Sequence, residues 1–165
     1  WIQFRTEVSD EVLPARAIDL VPKPCGAVLL IERRRHTQFD AILPIECKRL
    51  PTPHVKDRDE REYVVTNPGT TGGIQRFKFG YHGSAHRLGA MIGYVQEMTF
   101  AHWLARVNSW IDGLSAEAGS TWSGEDRLAL LQEEPGIGVC VLRSHHDRGA
   151  EHQDCELRHL WVRMN

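Results

Sequence analysis

The segment Pro44-Ile45-Glu46-Cys47-Lys48-Arg49-Leu50 sets a carboxylate and an ammonium two residues apart, entered from the apolar run Ala41, Ile42, Leu43 and Ile45. On a β-strand, residues i and i+2 point to the same face, so Glu46 and Lys48 project side by side and Cys47 points the other way. The apolar lead-in implies a buried strand, where a Glu and a Lys are costly unless paired or ligating. An acid-x-Lys strand suits metal-dependent phosphodiester cleavage: the carboxylate holds a divalent cation and the ammonium positions or activates a water. The plainer alternative is an edge strand with a salt bridge.

That chemistry needs a second acid. Asp40 lies six positions before Glu46, and an extended chain between them separates the two by ~20 Å, too far to share a metal. Asp19 sits in another short apolar stretch, Arg16 to Pro22, and the chain between it and Glu46 holds a strand-like run, Gly26 to Ile31, and a polar turn, Arg33 to Gln38. A folded-back antiparallel sheet brings Asp19 beside Glu46. Asp19 is therefore the preferred partner and Asp40 the fallback, although Pro22 and Pro24 interrupt the first strand.

Ile18-Asp19 followed by Glu46-Cys47-Lys48 resembles the PD-(D/E)XK nucleases, the restriction-endonuclease-like phosphodiesterases, over roughly Glu7 to Val95. Ile18 stands where the family carries a proline. The resemblance implies an α/β (α+β) fold: a restriction-endonuclease-like core running helix, three-strand meander, helix, strand, its central mixed β-sheet flanked by helices. It implies that Asp19, Glu46 and the Cys47 backbone carbonyl hold Mg²⁺, for which Mn²⁺ can substitute, and that Lys48 is the catalytic lysine. Glu7 would be an acid contributed by the first helix. The implied activity is hydrolysis of DNA to leave a 5′-phosphate, with defence against foreign DNA as a setting. A homo-oligomer or a partner subunit or domain is compatible with it.

The elements that must position these residues follow. Pro51 to Glu62 is a charged loop entering a helix. After the pair Gly72-Gly73, Ile74 and Phe77 share a helical face and Gln75, Arg76 and Lys78 point elsewhere. By resemblance this helix supplies phosphate contacts, for which Gln75, Arg76 and Lys78 are the candidates. The basic run Arg33, Arg34, Arg35 is a further grip on phosphate or else a solvated hairpin tip. The glycines lack the spacing of a nucleotide-binding loop. Leu88 to Val95 reads as a buried strand with two close-packing glycines. Phe100, Trp103, Leu104, Val107, Trp110, Ile111 and Leu114 recur at helical spacing and predict an amphipathic helix on the sheet. Asp126 to Glu133 suggests a short helix, and Val139–Arg143 with Cys155–Met164 a C-terminal hairpin.

The 165 residues suit one domain, core about 7–116 with a C-terminal helix and hairpin over 124–165. Apolar content of 41% and charged content of 25% are ordinary for a globular chain. No apolar run approaches the ~20 residues of a membrane span. A chain beginning at Trp1 is expected to be a domain of a longer protein. Cys25, Cys47, Cys140 and Cys155 show no paired spacing and read as small buried hydrophobes of a reducing, cytoplasmic compartment. The net charge of −2 argues against a uniformly basic surface but not against a local one. Two other functions remain open: a catalytically inactive nuclease-like module that binds nucleic acid or another subunit, and a zinc-binding interaction domain using the histidine-rich hairpin around His145, His146, His152 and His159.

Overall fold

The computed structural model describes residues 2–10, 15–26, 28–31, 33–54 and 58–164, without the side chain of Arg34. Its framework is a mixed seven-stranded sheet. The strands are β1 (Ile2–Ser9), β2 (Ala17–Pro24), β5 (Ile45–Leu50), β6 (Leu88–Val95), β7 (Ala129–Glu134), β8 (Val139–His146) and β9 (Cys155–Arg163), in the order β1-β2-β5-β6-β9-β8-β7. β5, β6 and β9 run parallel and the remaining neighbours antiparallel. Between β2 and β5, β3 (Leu29–Ile31) and β4 (Arg34–His36) form a separate two-stranded ribbon. Helix α1 (Gly73–Lys78) connects β5 to β6, and α2 (Phe100–Ser115) follows β6.

Strands β6 and β9 alternate strictly, Gly89, Met91, Gly93, Val95 and Cys155, Leu157, His159, Trp161 being buried. Of these, Met91, Val95, Cys155, Leu157 and Trp161 pack with Ile74 and Phe77 of α1 and with Trp103, Val107 and Ile111 of α2 in one core. Both helices therefore share one face of the sheet, rather than flanking it on two. Burying six such side chains removes on the order of 10 kcal/mol of apolar hydration cost. Gly93 is required by that packing, since a Cβ there would collide with the Trp161 ring. The helix spacing read from Phe100 to Leu114 holds, with Thr99 capping the helix through the His102 amide at 3.1 Å.

Three local expectations give way to tertiary pairing. Residues 2–9 form a strand, not a first helix, because Ile2, Phe4, Thr6 and Val8 alternate with polar residues and pair with β2. The segment expected as a helix from Asp126 to Glu133 is a 3₁₀ turn at Gly124–Asp126 followed by β7, which completes the edge of β8. The C-terminal hairpin is no appendage: β9 lies against β6 in register Met91↔His159 and Gly93↔Trp161, at the centre of the sheet.

The histidine-rich hairpin is internal architecture. Trp161 Nε1 donates to Tyr63 Oη at 2.8 Å, and Tyr63 Oη lies 2.8 Å from His159 Nδ1. His159 Nε2 is 2.8 Å from Ser144 Oγ, which is 2.7 Å from His146 Nε2; His146 Nδ1 is 2.6 Å from Asp126 Oδ1. Burial pushes the His159 imidazole down to about 3, so it is neutral. One polarity then satisfies every atom: Tyr63 donates to His159, His159 to Ser144, Ser144 to His146, and His146 to the carboxylate. Lys78 closes the chain at 2.9 Å from Asp126 Oδ1. Every ring nitrogen of His146 and His159 is thus engaged, which leaves neither free to hold zinc. His145 is exposed, 3.5 Å from Asp154.

Replacing Tyr63 by Phe strands the Trp161 N–H and His159 Nδ1 in the core. The expected cost is about 2 kcal/mol, read as a lower urea midpoint with an unchanged slope; an unchanged midpoint would show that the chain of bonds contributes nothing to stability.

Candidate functional site

Strands β2 and β5 meet at one register pair, Leu20↔Ile45, and the ladder is replaced beyond it by a side chain: Asp19 Oδ2 accepts from the Cys47 amide at 2.7 Å. The antiparallel fold-back thus sets Asp19 next to the start of the Glu46-Cys47-Lys48 strand. In an extended residue the N–H and C=O lie on the same edge. The Cys47 carbonyl therefore points to the same side as the amide that Asp19 holds.

Glu46 is fully buried and meets three nitrogenous side chains. Its Oε1 lies 2.9 Å from Lys48 Nζ and 2.7 Å from an Arg76 amino group; His82 Nδ1 lies 3.3 Å from Oε2. The last pair is close but not aligned as a hydrogen bond, leaving Glu46 Oε2 and both His82 ring nitrogens buried without a hydrogen-bond partner among the described residues. Burial opposes ionisation of Glu46, but His82, Lys48 and Arg76 outweigh it and hold the carboxyl down at about 2. Asp19 moves the other way. Burial first, and then the charge of Glu46, push its carboxyl up, only partly offset by the Cys47 amide, Lys48 and Arg76.

Lys48 is held from a second side, 3.3 Å from Glu62 Oε1, and Arg58 in turn holds Glu62 Oε2 at 2.6 Å through Nη2 and 2.7 Å through Nε. Glu62 is brought there by α1. The first amides of that helix, on Gly73, Ile74 and Gln75, donate to the carbonyls of Glu62, Tyr63 and Val64 at 2.9, 3.1 and 2.9 Å. The glycine pair permits this close crossing, because a Cβ on Gly72 would strike the Val65 backbone and one on Gly73 the Met91 methyl and Tyr63 carbonyl.

The expected residues divide. Asp19, Glu46, Cys47, Lys48 and Arg76 converge. Gln75 is buried and serves the loop before α1, accepting from the Gly72 and Thr66 amides at 3.2 and 3.3 Å. Lys78, expected at phosphate, is 2% exposed and spends its charge on Asp126; α1 is only six residues long, and its inward turn carries Lys78 into the core along with Phe77. Asp40 folds back on its own turn, accepting from the Thr37 amide at 2.7 Å and the Thr37 hydroxyl at 2.9 Å. Glu7 is exposed on β1 with φ of 50°, and the pairs Thr6↔Leu20 and Val8↔Ile18 on either side set it across from Asp19. Arg34 lies in β4, its side chain outside the described residues; Arg33 turns the ribbon with φ of 67°. His82 and Glu62 are additions that sequence reading missed. His82 follows α1 with no motif spacing, and Glu62 carries no local signal beyond an acid preceding the apolar run Tyr63-Val64-Val65.

Among the described residues no three or more His, Cys, Asp and Glu side chains form a metal cage. Mg²⁺ does not require one, since it is commonly bound by one or two carboxylates and retains waters. The donor set fits that pattern: a buried carboxylate oxygen on Glu46 lacking a hydrogen-bond partner among the described residues, a neighbouring Asp19 raised by its burial and then by the charge of Glu46, and a carbonyl on the same edge. A divalent cation relieves the repulsion between the two acids.

The two acids should carry opposite signatures in the metal-free protein. The lowered Glu46 contributes stability above its ordinary pKa of 4.5, lost as the pH falls toward 2; the raised Asp19 costs stability at neutral pH, relieved on acidification. Asp19→Asn keeps an acceptor for the Cys47 amide and removes the repulsion, so its melting temperature should rise by about 2 °C at pH 7, while Glu46→Gln should fall. Added Mg²⁺ should raise the melting temperature of the wild type and not that of Asp19→Asn. A lower melting temperature for Asp19→Asn would refute the strained acid pair.

No family model, curated protein or solved structure matches the chain.

Proposed function

We propose that this domain is a Mg²⁺-dependent endonuclease that hydrolyses DNA phosphodiester bonds. The observation that carries the reading is the juxtaposition of Asp19 with Glu46, and of Lys48 with Glu46 at 2.9 Å on the same strand face. The run β1-β2-β5-β6, with β5 and β6 parallel and α1 between them, supports a restriction-endonuclease-like architecture, with β1 where the family core begins with a helix.

Asp19, Glu46 and the Cys47 carbonyl would hold the cation, Mg²⁺ or Mn²⁺. When bound, it supplies Lewis-acid polarisation of the phosphate and a lower pKa for an attacking water. Lys48 orients that water and balances the negative charge that builds on the phosphorus oxygens. Glu62 and Glu46 hold the ammonium from two sides, so its position is set before substrate arrives. Arg76, 2.7 Å from Glu46, is the second cation within reach of a phosphate at this point. Attack of water on phosphorus breaks the bond to the 3′ oxygen and leaves a 5′-phosphate and a 3′-hydroxyl.

Plasmid nicking tests the reading. Nicking should require Mg²⁺ or Mn²⁺ and stop with chelator. Glu46→Ala and Asp19→Asn should abolish it, Lys48→Ala should lower turnover about 10²–10⁴-fold with DNA binding retained, and Asp40→Asn should keep most activity. Wild-type rates in both Glu46→Ala and Lys48→Ala would rule the site out. DNA binding with no nicking under any divalent cation would favour the silent binding module instead.

A further inference from the structure

Of the basic residues that sequence reading nominated for the substrate, Arg76 meets Glu46 itself, but Lys78 is internal and Arg33 and Arg35 belong to the separate β3–β4 ribbon, so they extend no track from it. A different set does. At the carboxyl end of β5, where the chain leaves the sheet after Leu50, a groove of about 420 Å³ is lined by Lys48, Arg49, Thr52, Arg58, Glu62 and Tyr94 among others. Ligands of open sheets with parallel strands commonly lie outside the carboxyl ends of those strands, and here β5 and β6 run parallel with Arg49 beside Tyr94.

We propose that this groove seats the DNA strand, with Arg49 and Arg58 gripping the phosphates that flank the one presented to Lys48. The inference rests on the nuclease reading for the identity of the ligand. Lys48, Arg49 and Arg58 line the groove with one carboxylate, Glu62, and with Glu46 set against Lys48 a net positive charge is left at the rim, within a chain whose formal charge is −2. Lys48, only 12% exposed, lies at the inner end, in contact with Glu46. Arg49 is exposed on the opposite face of the strand from Lys48 and reaches the rim. Arg58 is 42% exposed; it uses Nε and Nη2 on Glu62, and Nη1 takes no part in that pair. A guanidinium anchored in this way loses little freedom on meeting a phosphate. The half-buried Tyr94 presents a ring against which a sugar or base can lie.

The test is the salt dependence of binding to a short fluorescent duplex, measured by anisotropy in Ca²⁺, alongside plasmid nicking in Mg²⁺. Arg49→Ala should make the slope of log affinity against log salt shallower by about 0.9, the share of one duplex phosphate, and weaken all sequences alike. Arg58→Gln should do the same, and Arg127→Ala, on the α2 side and paired with Asp112, should leave the slope unchanged. Arg49 is an exposed strand position, so Arg49→Ala carries the test if Arg58→Gln fails to fold. Wild-type slopes in both groove variants, or a slope that responds instead to Arg33→Ala with Arg35→Ala, would overturn the proposal. Arginine-dependent binding without nicking would uphold the groove and sink the catalytic reading; nicking with unchanged slopes would do the reverse.

Discussion

Two carboxylates, Asp19 and Glu46, are held close together on neighbouring strands, one of them fully buried, and much of the surrounding structure answers to the cost of doing so. Like charges in a poorly solvated place repel, and each also loses hydration. Glu46 is compensated by Lys48 from its own strand and Arg76 from α1. Asp19 receives one backbone amide, released because β2 and β5 stop pairing where the acids meet. The neighbouring cations outweigh burial at Glu46 and do not at Asp19, an imbalance that a divalent cation would correct.

Helix α1 is shaped by the same requirement. It is short, and its first amides are satisfied by the Glu62–Val64 segment rather than by side-chain caps. The Gly72-Gly73 pair lets that segment cross at backbone distance. One crossing therefore delivers three things: Arg76 toward Glu46, Glu62 toward Lys48, and Ile74 with Phe77 into the core.

The same face of the sheet carries a second buried polar assembly of opposite character. From Trp161 through Tyr63, His159, Ser144 and His146 to Asp126, each donor has an acceptor, and the single charge at its end meets Lys78. A fully satisfied network of this kind fixes strands in place. Around Glu46, by contrast, a carboxylate oxygen, an arginine Nε and both nitrogens of His82 lack hydrogen-bond partners among the described residues. The two assemblies on this face thus differ in how fully their polar atoms are paired.

The local periodicities were legible in the chain. An apolar run with two close-packing glycines marked β6, alternation marked β9, three- and four-residue steps marked α2, and the two-residue spacing of Glu46 and Lys48 put both on one strand face, because side-chain direction follows directly from backbone repeat. Chain reach alone favoured Asp19 over Asp40. Pairing decided the rest. The segment 129–134 became a strand because the edge of β8 was open to it, and the hairpin entered the centre of the sheet because β6 offered a parallel partner. Lys78 turned inward to a carboxylate 48 positions away. His82 and Glu62 joined the site through contacts that span 36 and 14 positions, respectively, of intervening sequence. Such contacts are set by how elements pack in space, and neither composition nor local spacing carries that information.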